Sequence, residues 1–220
     1  MPVSKETIAK ALAEVRAKTE KRKFNQSIEL AVKLREVDLK KPESRINESL
    51  ELPTPADKQV KVAVIAGGDL ATRARAGGAD LVIGREDLDK LGREKKEARR
   101  IAQNYDFFIA EAPLMPLVGK TLGQMLGPRG KMPTPVPPTA PIDEVVKRHR
   151  RNVRLRMKDQ PVIQCKVGSE EMPDDAIIQN IQTVISRLEA KLEKGPKNIS
   201  SIAIKATMGP LVKVPLTTGA

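Results

Sequence analysis

Residues 199–214 read ISSIAIKATMGPLVKV. Apolar and polar side chains alternate over 199–206, and a second, shorter alternation covers 211–214. This is the period of a half-buried β-strand. Thr207, Met208, Gly209 and Pro210 interrupt the run. Gly followed by Pro inside a strand pattern predicts a bulge, a bend or a sheet edge, since Pro cannot donate to a ladder. Two readings stand at this point. The interruption is a kinked strand end, or it is a place where free backbone groups and the bare Gly209 let a ligand come close.

A half-buried strand needs neighbours and a covering helix, and both lie just upstream. Residues 152–157 and 162–167 alternate polar with apolar, which suits antiparallel strands with one wet face. Pro173 and Asp174 then open the clearest helix of the chain. Ile177, Ile178, Ile181, Val184, Ile185, Leu188 and Leu192 share one stripe, and Gly195-Pro196 ends it. The N-terminal segment offers matching material. Ser4 caps an amphipathic helix predicted over 4–22, with Ile8, Leu12 and Val15 at helical spacing. A half-wet strand over 28–34 and a shorter one over 47–52 follow. Neither flank carries a core of its own, so the economical solution joins them in one α+β domain.

The chain between them has a different character. Residues 60–66, 80–84 and 106–112 are near-continuous apolar runs separated by helical stretches. Strands without alternation, spaced by helices, predict a small parallel sheet covered on both faces. Gly67-Gly68 reads as a tight strand-to-helix turn. After Pro113 a short helix runs to about residue 126, where Gly127-Pro128 stops it. The proline-rich segment up to Pro141 is expected to be extended and stiff, and a last helix covers 142–150. The predicted class is mixed α/β and α+β with two domains. Residues 1–60 and 152–220 form a discontinuous α+β domain, and residues 61–151 form an inserted parallel-sheet domain.

Charge narrows the function. Forty Lys and Arg against 28 Asp and Glu give a formal charge of +12, which points to a polyanionic partner, either nucleic acid or an anionic membrane surface. No apolar run approaches the length of a membrane helix and no signal peptide precedes the first helix, so a cytoplasmic protein is expected. One Cys excludes a disulfide within the chain, and one Cys with one His cannot supply a metal site by themselves. Gly119-Lys120-Thr121 resembles the end of a phosphate-binding loop, but position 114 is Leu where that loop needs Gly, and Pro113 and Pro116 remove donors. ATP and GTP are excluded. His149 lies in Lys147-Arg148-His149-Arg150-Arg151 with no orienting carboxylate or nucleophile in view, and Cys165 falls in an alternating strand as a small apolar residue. No cofactor and no enzyme are expected. Lys and Arg run from 147 to 158 without an acid, and a second basic cluster, 18–23, directly precedes Phe24. Such runs form a solvated face or hold phosphates. Phe24 is a core residue, or a ring that stacks on or packs beneath a nucleotide.

Three segments together resemble one family, the large-subunit ribosomal protein of the mobile side stalk ("L-one"). They are Lys23-Phe24-Asn25-Gln26-Ser27, then Leu126-Gly127-Pro128-Arg129-Gly130-Lys131-Met132-Pro133, and Thr207-Met208-Gly209-Pro210. The Pro-rich continuation 134–141 resembles archaeal or eukaryotic members. The resemblance spans the whole length. It implies an RNA-binding domain built from both termini and an inserted Rossmann-like domain without nucleotide. It implies a partner, a folded stalk segment of large-subunit ribosomal RNA, and a role in releasing deacylated tRNA from the exit site. Many members also repress translation by binding their own messenger. The protein would be a monomer when free, with no membrane partner. Carried over residue by residue, the RNA surface comprises Lys23, Phe24, Gln26, Ser27, Ser201, Thr207, Met208 and Gly209, bordered by Lys166 and Gly168. Asn25 stands where the family often has an acid. Backbone amides near Gly209 and the hydroxyls of Ser201 and Thr207 would then bond phosphates and 2′-hydroxyls. The competing reading is a basic RNA chaperone that binds any polyanion by charge.

Overall fold

The computed structural model describes residues 3–38, 46–56, 60–157 and 160–216. The chain divides into two compact units, residues 1–57 with 151–220, and residues 58–150. The mixed α/β class predicted above is the class observed, with one antiparallel and one parallel four-stranded sheet.

In the first unit, helix α1 (Lys5–Lys18) is capped by Ser4, whose Oγ accepts from the Thr7 N–H at 3.2 Å. Strands β1 (Ser27–Leu34), β8 (Val162–Ser169), β9 (Ile199–Ala206) and β10 (Val212–Val214) form an antiparallel sheet in the order β10-β9-β1-β8. A two-stranded ribbon pairs β2 (Asn47–Glu51) with β7 (Asn152–Arg156). Helix α8 (Asp174–Lys191) carries the predicted apolar stripe. It packs with α1 on one face of the sheet, over Leu30, Val32, Ile163, Ile202 and Ile204. Cys165 is buried in this core, and desolvation pushes its thiol up to about 12. Iodoacetamide at pH 8 should therefore leave Cys165 unmodified in the native protein and label it fully in denaturant, since the thiolate is the nucleophile. Rapid native labelling would contradict the packing.

The predicted first helix runs four residues too far. It stops at Lys18 because Thr19 leaves helical geometry and turns its Oγ back on the Val15 carbonyl at 2.6 Å.

In the second unit, β3 (Val62–Ile65), β4 (Leu81–Ile83) and β5 (Phe107–Glu111) lie parallel, as their unbroken apolar runs predict. Ala63, Ile65, Phe108 and Ala110 face α3 (Arg85–Arg93), α4 (Lys95–Asn104), α5 (Met115–Thr121) and α6 (Gly123–Leu126). Val62, Val64, Phe107 and Ile109 face α2 (Gly68–Ala76) and α7 (Ile142–Arg151). The proline-rich segment is not wholly irregular. Thr134–Val136 forms β6, parallel to β5, with Pro135 opposite Ala110. It sits at the sheet edge, where a residue lacking an N–H costs no ladder bond on its open side.

The sequence motif 126–133 is a fastening. Gly130 takes φ 68°, which glycine adopts freely. Lys131 then directs its Nζ onto the carbonyls of Tyr105 at 2.6 Å and Ala102 at 3.2 Å, at the C-terminal end of α4. A cation on those last carbonyls satisfies orphan acceptors and meets the negative end of the helix dipole. Gly119-Lys120-Thr121 lies within α5 and forms no phosphate loop.

Candidate nucleic-acid interface

Strand pairing brings most of the predicted residues to one end of the antiparallel sheet. Ile28 lies opposite Ala206, so the residues just before β1 meet those just after β9. Thr207 closes the join. Its N–H donates to the Ser27 carbonyl at 3.0 Å, and its Oγ1 accepts from the Ser27 N–H at 3.1 Å. Its hydroxyl lies 3.3 Å from the same Ser27 carbonyl, so the hydroxyl is engaged within the fold.

Gln26 is wholly buried, with 0% of its surface exposed. Its Oε1 accepts from the Met208 N–H at 3.1 Å, and its Nε2 donates to the Glu20 carbonyl at 2.9 Å and to Glu170 Oε1 at 3.0 Å. The Gly209 N–H donates to the Ala206 carbonyl at 3.1 Å. All three turn amides are thus consumed internally, which corrects the expectation that they reach out to phosphates. No donor from the described residues reaches the carbonyls of Thr207, Met208 or Gly209. The unspent backbone groups of the turn are acceptors.

The apolar groups at this end are exposed. Phe24 is 52% exposed and Met208 62%. Phe24 is therefore no core residue. Lys23, next to it, is exposed too, as are Lys21 and Arg22. Together with Thr19 and the buried Val15, they line a cleft of roughly 520 Å³. Glu170 and Glu171 line it as well. An exposed ring flanked in the chain by three cations suits a ligand with flat faces and negative charge.

The other predicted residues take different places. Lys166 is opposite Glu29, whose neighbour on the other side is Lys205. Lys33 and Lys213 share this face of the sheet by register. Ser201 is on it as well, opposite Lys33, but it is about 20 Å along the strand from Thr207 at roughly 3.3 Å per residue. Gly168 is buried beside a β-bulge, and a Cβ there would meet Ile177 Cγ1 at 2.8 Å. Its place is a packing place, where α8 comes close to β8. Arg151, Arg154 and Arg156 of the basic run fall at the end of α7 and on β7, which pairs with β2 and not with this sheet, and Lys158 lies outside the described residues.

Sequence reasoning missed three residues that build the site. Thr19 packs against Gly209, whose Cβ would lie 2.6 Å from Thr19 Oγ1. Glu170 holds Gln26, and Arg16 holds Glu170 through its carbonyl at 2.8 Å. Each reads locally as an ordinary polar residue. Their partners lie far off along the chain, beyond the reach of any periodic pattern.

These features define a class, a basic two-unit α/β protein with no nucleotide loop among the described residues. Comparison with known proteins then places it. The model of the family described as "Ribosomal protein L1p/L10e family" matches residues 16–210. The "Large ribosomal subunit protein uL1" of Thermofilum pendens is 50% identical over 195 residues, 88% of this chain and 86% of that one. Those of Hyperthermus butylicus and Pyrococcus abyssi are 47% and 45% identical, each covering 97% of this chain and 98% of the relative. The chain belongs to the ribosomal protein L1p/L10e family. It is a ribosomal protein, non-enzymatic and cytoplasmic. Among the described residues no helix is long and apolar enough to cross a membrane.

Proposed function

We propose that this constituent of the large ribosomal subunit binds a folded stalk segment of ribosomal RNA through the sheet end where Phe24 and Thr207-Met208-Gly209 meet. The observation that carries the reading is the pairing of exposed Phe24 and Met208 with a turn whose backbone offers only acceptors. Acceptors repel phosphate oxygens and welcome 2′-hydroxyl donors, so contact would follow RNA shape and the ribose, with Lys21 to Lys23 supplying the charge attraction. As part of the stalk the protein would aid release of deacylated tRNA from the exit site. The same surface would bind a similar element in its own messenger and repress translation. Resemblance to the family supports both of these roles.

Gel-shift titration of the stalk RNA fragment against a same-length duplex, from low to high salt, tests the reading. A preference of about 10³ or more for the stalk RNA that persists at high salt is expected. Replacing the contacted riboses by deoxyriboses should then weaken binding. Equal binding to both RNAs, collapsing together as salt rises, would leave only the +12 charge and favour the general RNA chaperone.

A further inference from the structure

The buried amide of Gln26 has a fixed orientation. Met208 presents an N–H, so the amide oxygen must face it. The amide nitrogen then faces two acceptors, the Glu20 carbonyl and Glu170 Oε1, and spends both of its hydrogens on them. Glu170 grips the same residue again. Its Oε2 accepts from the Gln26 backbone N–H at 3.2 Å, and its own N–H donates to the Gln26 carbonyl at 3.0 Å. Arg16 pins the far side of this loop. Its Nη1 donates to the Glu170 carbonyl, its Nη2 to the Met172 carbonyl and its Nε to Asp174 Oδ1, each at 2.8 Å. A continuous chain of bonds therefore runs from α1 through Glu170 and Gln26 to the peptide of Met208.

We propose that Gln26 and Glu170 are positioning residues for RNA recognition. This rests on the RNA-binding reading above. Gln26 is wholly buried and touches no ligand. It holds two separate pieces of the surface in one register, the segment that carries Phe24 and the turn that carries Met208. Glu170 fixes Gln26 in the only amide orientation that accepts the Met208 N–H. An acidic residue beside an RNA site opposes binding by its charge. Glu170 is there because a carboxylate is the acceptor that takes both Gln26 donors at once.

Charge and positioning make opposite predictions for Glu170→Gln, which is what makes the test decisive. The variant loses a negative charge, so charge alone would tighten RNA binding. It also sets an NH₂ group against a Gln26 donor, so loss of positioning weakens binding. We expect stalk-RNA affinity to fall about tenfold or more, with the salt slope unchanged because no phosphate contact is lost. The exchanged pair, Gln26→Glu with Glu170→Gln, keeps the wild-type charge and restores a donor facing an acceptor between the two residues, but it leaves a carboxylate oxygen against the Glu20 carbonyl. It should bind at least about threefold better than Gln26→Glu alone, which sets two carboxylates face to face and binds worst, without reaching wild type. Thermal melts of each variant check that the fold persists. Unchanged or tighter binding by Glu170→Gln would overturn the proposal, as would an exchanged pair no better than Gln26→Glu. Wild-type protein that fails to bind stalk RNA would instead overturn the function proposed above.

Discussion

Replacing Asn180 by Leu is expected to cost the first unit about 2–4 kcal/mol, although Leu has the same side-chain branching and would extend an apolar stripe. Asn180 lies on α8 with 0% exposure. Its Nδ2 donates to the Val167 carbonyl at 2.8 Å and to the Thr54 carbonyl at 2.9 Å, while its Oδ1 accepts from the Thr54 N–H at 3.2 Å. Val167 is the extra residue of a β-bulge. Ile28 pairs with Gly168 and Glu29 with Lys166, so Val167 faces no partner on β1. Its carbonyl depends on Asn180. An unpaired buried carbonyl costs about 1–3 kcal/mol by itself, and the loss of both Thr54 bonds adds to that. Urea denaturation followed by circular dichroism checks it. A loss under about 0.5 kcal/mol would mean that water or another donor reaches the bulge.

Gly209→Ala should be nearly as damaging, and it should also strike the proposed RNA surface. Gly209 has no left-handed backbone to explain it. The requirement is space. A Cβ would sit 2.6 Å from Thr19 Oγ1 and 3.2 Å from Ala206 Cβ. The threonine oxygen cannot easily swing away, because it is bonded to the Val15 carbonyl at 2.6 Å. Overpacking of this kind costs about 1–3 kcal/mol, relieved by moving the turn that carries Met208. Stability and stalk-RNA binding should therefore fall together. Adding Thr19→Ala removes the clashing oxygen and should restore part of both, a coupling that a double-mutant cycle measures. Strictly additive losses would show that the contact with Thr19 is not the cause.

Much of the architecture was legible because hydrophobic period records how many faces of an element are buried. Alternation in 28–34, 162–167 and 199–206 marked strands with one wet face, and these are β1, β8 and β9. Unbroken apolar runs marked strands covered on both faces, and these are β3, β4 and β5. The stripe of α8 holds from Ile177 to Leu188, but its last predicted member, Leu192, is the half-buried C-cap beyond Lys191, and a buried Asn180 that no stripe predicts sits among the apolar residues. The proline-rich segment misled because an edge strand needs only one row of backbone bonds, so β6 accepts Pro135 where a central strand would not.

The candidate site was legible as a set of positions but not as roles. Phe24, Met208 and the cations beside them stand exposed where the sequence analysis expected a binding surface. Gln26, Thr207 and Gly168 are engaged within the fold, the first two by residues remote in the chain, Glu170 and Ser27, and the third by Ile177 of the adjoining helix α8. Period, composition and turn residues act locally, so the elements, the two kinds of sheet and the basic charge follow from the chain before any long-range contact is known. That the turn's amide donors are all consumed, that Gly209 is there for space, and that a buried glutamine ties the Phe24 segment to the Met208 turn emerge only in the folded chain. Hydrogen bonds and close contacts belong to pairs, and the chain must fold before those pairs exist.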